Sequence, residues 1–181
     1  MRFCEDGGVG AQDEQVAIYE RSGRVAGAAP RWLMRRDGLW HAASSVLVLS
    51  PDRESVYVHR RTDDKDVHPG MHDCCAGGVV AAGEEPDSTA QRELAEELGI
   101  RDAPVRFLFR SVFDQGTVRY HAFLYEARWS GPIVHQPEEV ADGWWMRIAE
   151  LRARLADPAW PFVPDGRQFV EEWLSWRQDH D

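Results

Sequence analysis

Apolar positions along the chain change period several times, and each change predicts an element. Val16 to Tyr19 is a short apolar run that predicts a strand, with Gly23 supplying a turn after it. Pro30 suits a first helical turn and opens a short helix through Arg36. Trp40 to Leu49 is apolar and rich in β-branched residues, and it ends at the Ser50-Pro51-Asp52 turn. Ser55 to Arg61 then alternates, Val56 and Val58 against Tyr57 and His59, so the two runs read as an antiparallel hairpin. Pro86 to Leu98 is the clearest helix. Val105–Phe113 and Val118–Trp129 read as strands joined through Asp114-Gln115-Gly116, and residues 130–142 read as a loop. Trp144 to Ile148 is a short strand leading into a helix near Ala149–Ala156. A last amphipathic helix runs from about Asp165 to Trp176, with Phe169, Val170, Trp173 and Trp176 at helical spacing. Strands with one central helix and a helical C-terminus predict an α+β fold, a mixed β-sheet sandwiched between helices (α/β/α).

Composition narrows the class. At 181 residues the chain predicts one domain over residues 15–181, after a Gly-rich, acidic and flexible tail at 1–14. A hydrophobic fraction of 43% is enough for a buried core and too high for a disordered chain. No apolar run approaches the roughly 20 residues of a membrane span, and the N-terminus lacks the basic-then-apolar order of a secretory signal. Cys4, Cys74 and Cys75 make an odd and partly adjacent set, a poor disulfide framework that suits a reducing compartment. The expectation is a cytoplasmic protein without membrane contact. A formal net charge of −10 opposes broad contact with nucleic acid. It suits a phosphorylated small substrate only where cations offset it locally, which points toward bound metal.

The candidate chemistry lies at residues 78–100. About 100° per residue puts Glu93, Glu96 and Glu97 on one helix face, where like charges repel by a few tenths of a kcal/mol per pair. A hard dication with oxygen ligands is the natural remedy. Ala90, Leu94 and Leu98 form a neighbouring stripe for core packing. Gly99 sits where a left-handed cap ends the helix, with Ile100 able to pack back on the last turn. Arg92, one turn before Glu96, can hold a carboxylate. Gly77-Gly78 allows close backbone approach, and a carbonyl there can complete a metal shell. Any one of these residues alone reads as part of a solvated acidic face. Seven identities fixed jointly, each at a background of ~7%, make coincidence at a given start far rarer than one in a million.

This segment, Gly78-x5-Glu84-x7-Arg92-Glu93-Leu94-x-Glu96-Glu97-x-Gly99-Ile100, resembles the Nudix box at every specified position. The resemblance implies the Nudix fold, Mg²⁺ (or Mn²⁺) held chiefly by Glu93, Glu96 and Glu97 with Gly78, and hydrolysis of the diphosphate linkage of a nucleoside diphosphate derivative or similar small molecule, non-nucleotide diphosphates included. Glu84 and Arg92 by analogy orient the site. Outer motifs are similar to the branch related to isopentenyl-diphosphate isomerase: Gly23-Arg24-Val25 before Arg31, Gly38-Leu39-Trp40-His41, Arg60-Arg61-Thr62 to Lys65, Pro69-Gly70-Met71 to Asp73, and Phe162-Val163-Pro164-Asp165. An isomerase would place its nucleophilic cysteine near Gly77, two residues after Cys75. A non-catalytic nucleotide-sensing module is the third reading, opposed by the complete set of box carboxylates.

Four further groups are open. Glu139, ahead of Glu138, stands where Nudix enzymes recruit another carboxylate as metal ligand or general base, and otherwise reads as a solvated loop residue. Arg60, Arg61 and Lys65 can bind substrate phosphates, or pair with Asp63, Asp64 and Asp66. His68, His72, Cys74 and Cys75 have no specific zinc spacing. Trp144 and Trp145 point to opposite faces of a strand, so at most one reaches a cleft to stack a base. Long outer strands and the N-terminal hairpin leave a homodimer open.

Overall fold

A computed structural model describes residues 14–65 and 67–180. The expected tail, apart from Glu14, lies outside the described residues, as do Cys4 and Asp66. Strands β1 (Gln15–Tyr19) and β2 (Val25–Pro30) form an antiparallel hairpin, and helix α1 (Arg31–Asp37) follows directly from Pro30. Then come β3 (His41–Leu49), β4 (Ser55–Arg61), β5 (His72–Asp73), β6 (Cys75–Val79) and helix α2 (Pro86–Leu98). The remainder is β7 (Val105–Gln115), β8 (Val118–Arg128), β9 (Val140–Arg147), α3 (Ile148–Leu155) and α4 (Pro164–His180).

β3 is the organising strand. It lies parallel to β8 from His41 to Leu49 and antiparallel to β6 from Ala43 to Leu47. Its alternation explains why it is apolar on both sides. Val46 and Val48 pack toward α2 with Ala90, Leu94 and Leu98, while Leu47 and Leu49 pack toward α3 and α4 with Leu151, Val170 and Trp173. The mixed sheet therefore has a helix layer on each face, as the α+β sandwich expected from the sequence requires.

Three features depart from the expected elements. The β3–β4 hairpin pairs antiparallel at Leu49 and Val56 and then splays, because β3 gives its edges to β6 and β8 while β4 pairs with β9 and β5. β6 has no β-branched run to announce it. Pairing with β3 imposes its extended form, and its small residues admit close approach: a Cβ at Gly77 would stand 2.1 Å from the Ser44 carbonyl oxygen. β9 begins at Val140, inside the stretch that reads as a loop, because Val140 to Gly143 pair with His59 to Arg61 of β4. Trp144 packs on the α4 side and Trp145 is exposed, edge-on to Tyr57. No helix among the described residues is long and apolar enough to cross a membrane.

Candidate active site

Helix α2 is fixed at both ends in a way that aims its acidic face. At the N-terminus, the Ser44 hydroxyl donates to the Pro86 carbonyl (2.7 Å) and the Tyr125 hydroxyl to Asp87 (2.6 Å), which ties the first turn to the sheet. At the C-terminus, Gly99 takes a left-handed φ of 68° and its N–H caps the Leu94 carbonyl. Two further carbonyls of the last turn, Leu98 and Glu97, accept the Val134 and Gln136 amides at 3.0 Å. That loop is thereby laid beside α2, and Glu138 and Glu139 arrive at the box. Thr62 at the end of β4 completes the junction, its hydroxyl donating to the Glu138 carbonyl (3.1 Å) and its amide to that of Glu139 (3.2 Å).

A cavity of 690 Å³ opens at this junction. Glu93, Glu96 and Glu97 of α2, with Arg92, form one wall, and Gly77 and Gly78 of β6 form the floor. Glu97 is the most enclosed of the three at 7% exposure, and it accepts the Gly77 amide at 3.3 Å. Burial pushes its carboxyl well above the usual range, and Glu93, Glu139 and Asp73 add to this by like-charge repulsion. Glu93 is raised for the same first reason, burial, with Glu96 adding to it against the pull of Arg92. Its carboxylate rests on Gly78, where a Cβ would meet Oε1 at 2.1 Å. Only a glycine leaves that space.

Arg92 ties the box together. Its guanidinium forks onto Glu84 through Nε and Nη2, both at 3.1 Å, and Nη1 reaches Glu93 at 2.8 Å and Glu96 at 3.0 Å. Burial alone would raise Glu84, but hydrogen bonds from Arg92 and from the Thr89 hydroxyl (2.8 Å) outweigh it and hold that carboxyl below its ordinary value. Glu84 thus anchors Arg92, and Arg92 sets the acidic face.

The donor set passes the test for a hard dication. Three box carboxylates plus Glu139 and Glu138 line one cavity, two of them are raised by burial and mutual repulsion, and the Gly78 cradle positions one oxygen. Glu139 is paired with Lys65, so one expected phosphate ligand and the candidate base touch each other in the cavity lining. Arg61 also lines the cavity. One of its terminal nitrogens donates to the Val67 carbonyl (3.2 Å), while its buried Nε has no partner among the described residues.

Among the expected phosphate ligands, Arg60 stands apart from Arg61 and Lys65. Strand alternation puts it on the face opposite Arg61, where it pairs with Asp63 at 2.8 Å, and it does not line the cavity. Trp144 and Trp145 do not line it either. Asp73, Cys74 and Cys75 bring their ligand atoms within 4.8 Å of one another. Both thiols are raised, Cys74 chiefly by burial and Cys75 by its hydrogen bond with Cys74 and then burial. His72 stacks on Trp160 instead of joining them. Cys75 is packed in the core, so no cysteine among the described residues reaches the cavity as an isomerase nucleophile would.

Sequence reasoning missed the cavity's other wall. Arg31, Trp32 and Arg35 of α1 line it, as do Glu14, Asp64, Val67 and Gln136. Arg31 is paired with Glu14 at 2.8 Å. The cluster of basic residues around Trp32 is visible in the sequence, but nothing local says that α1 faces α2, from which it is separated by some fifty residues.

Fold and site together define a hydrolase built around an acidic helix at one end of a mixed sheet. The family model for the NUDIX domain matches residues 39–166. A Nudix hydrolase of Rhodococcus erythropolis, orf19, is 48% identical over 89% of this chain and 92% of its own length. The Nudix hydrolase YfcD of Escherichia coli K12 is 34% identical over 91% and 89%. Among solved structures, DR0079 of Deinococcus radiodurans superposes with a TM-score of 0.75 at 22% identity, covering 88% of this chain and 98% of that one. The Nudix domain of Shewanella oneidensis NrtR, complexed with ADP ribose, gives 0.59 at 17% identity over 75% and 87%. The chain belongs to the Nudix hydrolase family, as a Nudix-type pyrophosphate hydrolase that uses divalent metal cations.

Proposed function

We propose that this enzyme hydrolyses the diphosphate linkage of a nucleoside diphosphate derivative in the cytoplasm, with Mg²⁺ (or Mn²⁺) as its ion. The observation that carries the reading is the buried Glu97, with Glu93 cradled on Gly78 and Arg61 lining the same cavity, its Nε without a partner among the described residues. Burying carboxylates beside each other destabilises the fold unless a cation offsets them, so the arrangement is explained by function rather than by stability. Free, buried thiols at Cys74 and Cys75 suit a reducing compartment.

Glu93, Glu96 and Glu97 would hold the metal, with the Gly78 carbonyl as a further oxygen ligand. When bound, divalent ions neutralise the diphosphate and lower the pKa of a water. Arg92 orients the Glu93 and Glu96 carboxylates from its anchor on Glu84. Arg61 and Lys65 draw the substrate's phosphates toward the acidic wall. Glu139 accepts the proton of the attacking water once substrate takes Lys65 from it. A new P–O bond forms to that water, the bridging P–O bond breaks, and its electron pair leaves on the departing phosphate.

The test is release of phosphate or nucleoside monophosphate across a panel of diphosphate compounds with Mg²⁺ or Mn²⁺, comparing wild type with Glu97→Gln. Metal-dependent turnover that falls a hundredfold or more in the variant is expected. Absence of turnover on every compound, with nucleotide binding indifferent to the substitution, would replace this reading with a sensing module.

A further inference from the structure

We propose that α1 forms the subsite for the part of the substrate beyond its diphosphate, and that Trp32 is the platform on which a nucleobase stacks. This rests on the hydrolase reading and names the group it selects. Trp32 is 42% exposed on a seven-residue helix whose buried anchor is Met34. A single exposed tryptophan is unremarkable on its own. This one lines the same cavity as the box, and it is the one aromatic side chain among the described lining residues.

Its surroundings suit an anionic ligand with a planar group. Arg31 and Arg35 flank it one helical turn apart and line the cavity with it. Arg31 acts electrostatically on Glu93, which places α1 within reach of the acidic wall. The Arg36 guanidinium lies over the indole, 5.1 Å from its centroid, and steadies the ring. The cavity volume falls in the range that encloses a ligand of nucleotide size.

The same lining argues against a hydrocarbon diphosphate. Of seventeen lining residues, Trp32 and Val67 are the large apolar ones, and the rest are mainly charged. An isoprenoid chain would need a continuous apolar channel to bury its methylenes. An indole among guanidinium groups instead offers a π face with polar neighbours, which any base can use whatever its hydrogen-bonding edge. Trp32 thereby favours nucleotides over non-aromatic diphosphates without choosing strongly among bases.

The experiment is steady-state hydrolysis of ADP, CDP and isopentenyl diphosphate by wild type, Trp32→Ala and Trp32→Phe, with thermal melts to confirm folding. Trp32→Ala is expected to lower kcat/KM on both nucleotides by about tenfold or more through KM, within the range for stacking on an aromatic platform. Trp32→Phe should recover most of that loss, and whatever activity isopentenyl diphosphate supports should be unchanged. Equal losses on aromatic and non-aromatic substrates, or no loss on ADP and CDP, would overturn the subsite. Failure of wild type to hydrolyse any diphosphate would overturn the hydrolase reading instead. Calorimetric binding of AMP to wild type and Trp32→Ala would then decide the subsite: equal affinities overturn it, and a tenfold weaker variant sustains it.

Discussion

The two walls of the cavity carry opposite charge and are built in opposite ways. The α2 wall is continuous in sequence, with Glu93, Glu96 and Glu97 within a little more than one helical turn and Arg92 beside them. The facing wall is assembled from α1, the end of β4 and the loop after it, pieces that meet only when β3 is in place. The first wall concentrates repulsion that a metal would relieve. The second concentrates cations in a chain whose net charge is −10. The lining as a whole still holds more carboxylates than cations, so an anionic substrate is favoured there only where a metal offsets the acidic wall.

The sharpest break in that comparison is Glu97→Gln. Removing the buried charge should lower kcat by at least a hundredfold, while the metal-free protein becomes more stable by about 1 kcal/mol, since the amide can still accept the Gly77 N–H without burying a charge. Thermal melts with and without Mg²⁺ check the second half. Wild type should gain stability from the ion and the variant should gain much less. A variant that is both inactive and less stable would mean that Glu97 serves structure.

Adjacent glycines separate function from fold on the cavity floor. Gly77→Ala drives a Cβ against backbone, 2.1 Å from the Ser44 carbonyl oxygen, and is expected to cost about 3 kcal/mol by forcing β3 and β6 apart. Gly78→Ala first meets the flexible end of Glu93 rather than backbone. It should fold nearly as well as wild type and lose tenfold or more in metal affinity, because Glu93 must leave its cradle. Denaturant midpoints paired with metal titrations read both. Similar behaviour of the two variants would show that Glu93 is not held by Gly78.

Much of this is legible in the sequence, and the boundary of legibility has a physical origin. Helical spacing fixes which side chains share a face, so the acidic face, the Ala90-Leu94-Leu98 stripe and the Gly99 cap could all be read from residues 86–100. A strand alternates its side chains, but local sequence does not say which face turns toward a site. Arg60 and Arg61 are therefore equivalent in the local sequence, and only the pairing of β4 with β9 and β5 separates their faces. β6 was hidden because its small residues satisfy a close approach rather than a strand propensity. α1 was legible as a helix, whereas its position opposite α2 depends on pairings along β1 and β3.

The Arg60–Arg61 pair gives the next test. Arg61→Ala should raise KM or lower kcat/KM by roughly 10- to 100-fold, the loss expected when one hydrogen-bonded charge contact to phosphate disappears. Arg60→Ala should change kcat/KM by less than about twofold, since Arg60 gives up only an exposed pair with Asp63. Comparable losses in both would place Arg60 in the site and reverse the assignment of faces.

The smallest expected effect on catalysis lies behind the site, where Asp73 is enclosed between β6 and the start of α4. Burial, reinforced by Asp165, pushes its carboxyl up to about 7, although its oxygen accepts the Cys74 and Cys75 amides. In the unfolded chain an Asp releases its proton near 4. Between these values the folded state holds a proton that the unfolded state has lost, so this residue makes stability fall as pH rises from about 4 to about 7. The slope is at most about 1.4 kcal/mol per pH unit. Asp73→Asn keeps an oxygen for the two amides and removes the titration. Its stability should therefore vary less than that of wild type across this window, with the largest advantage for the variant at pH 7 and above. Urea midpoints at pH 5, 6, 7 and 8 decide the point. Parallel curves for the two proteins would mean that Asp73 is already ionised in the fold, stabilised by the two amides it accepts.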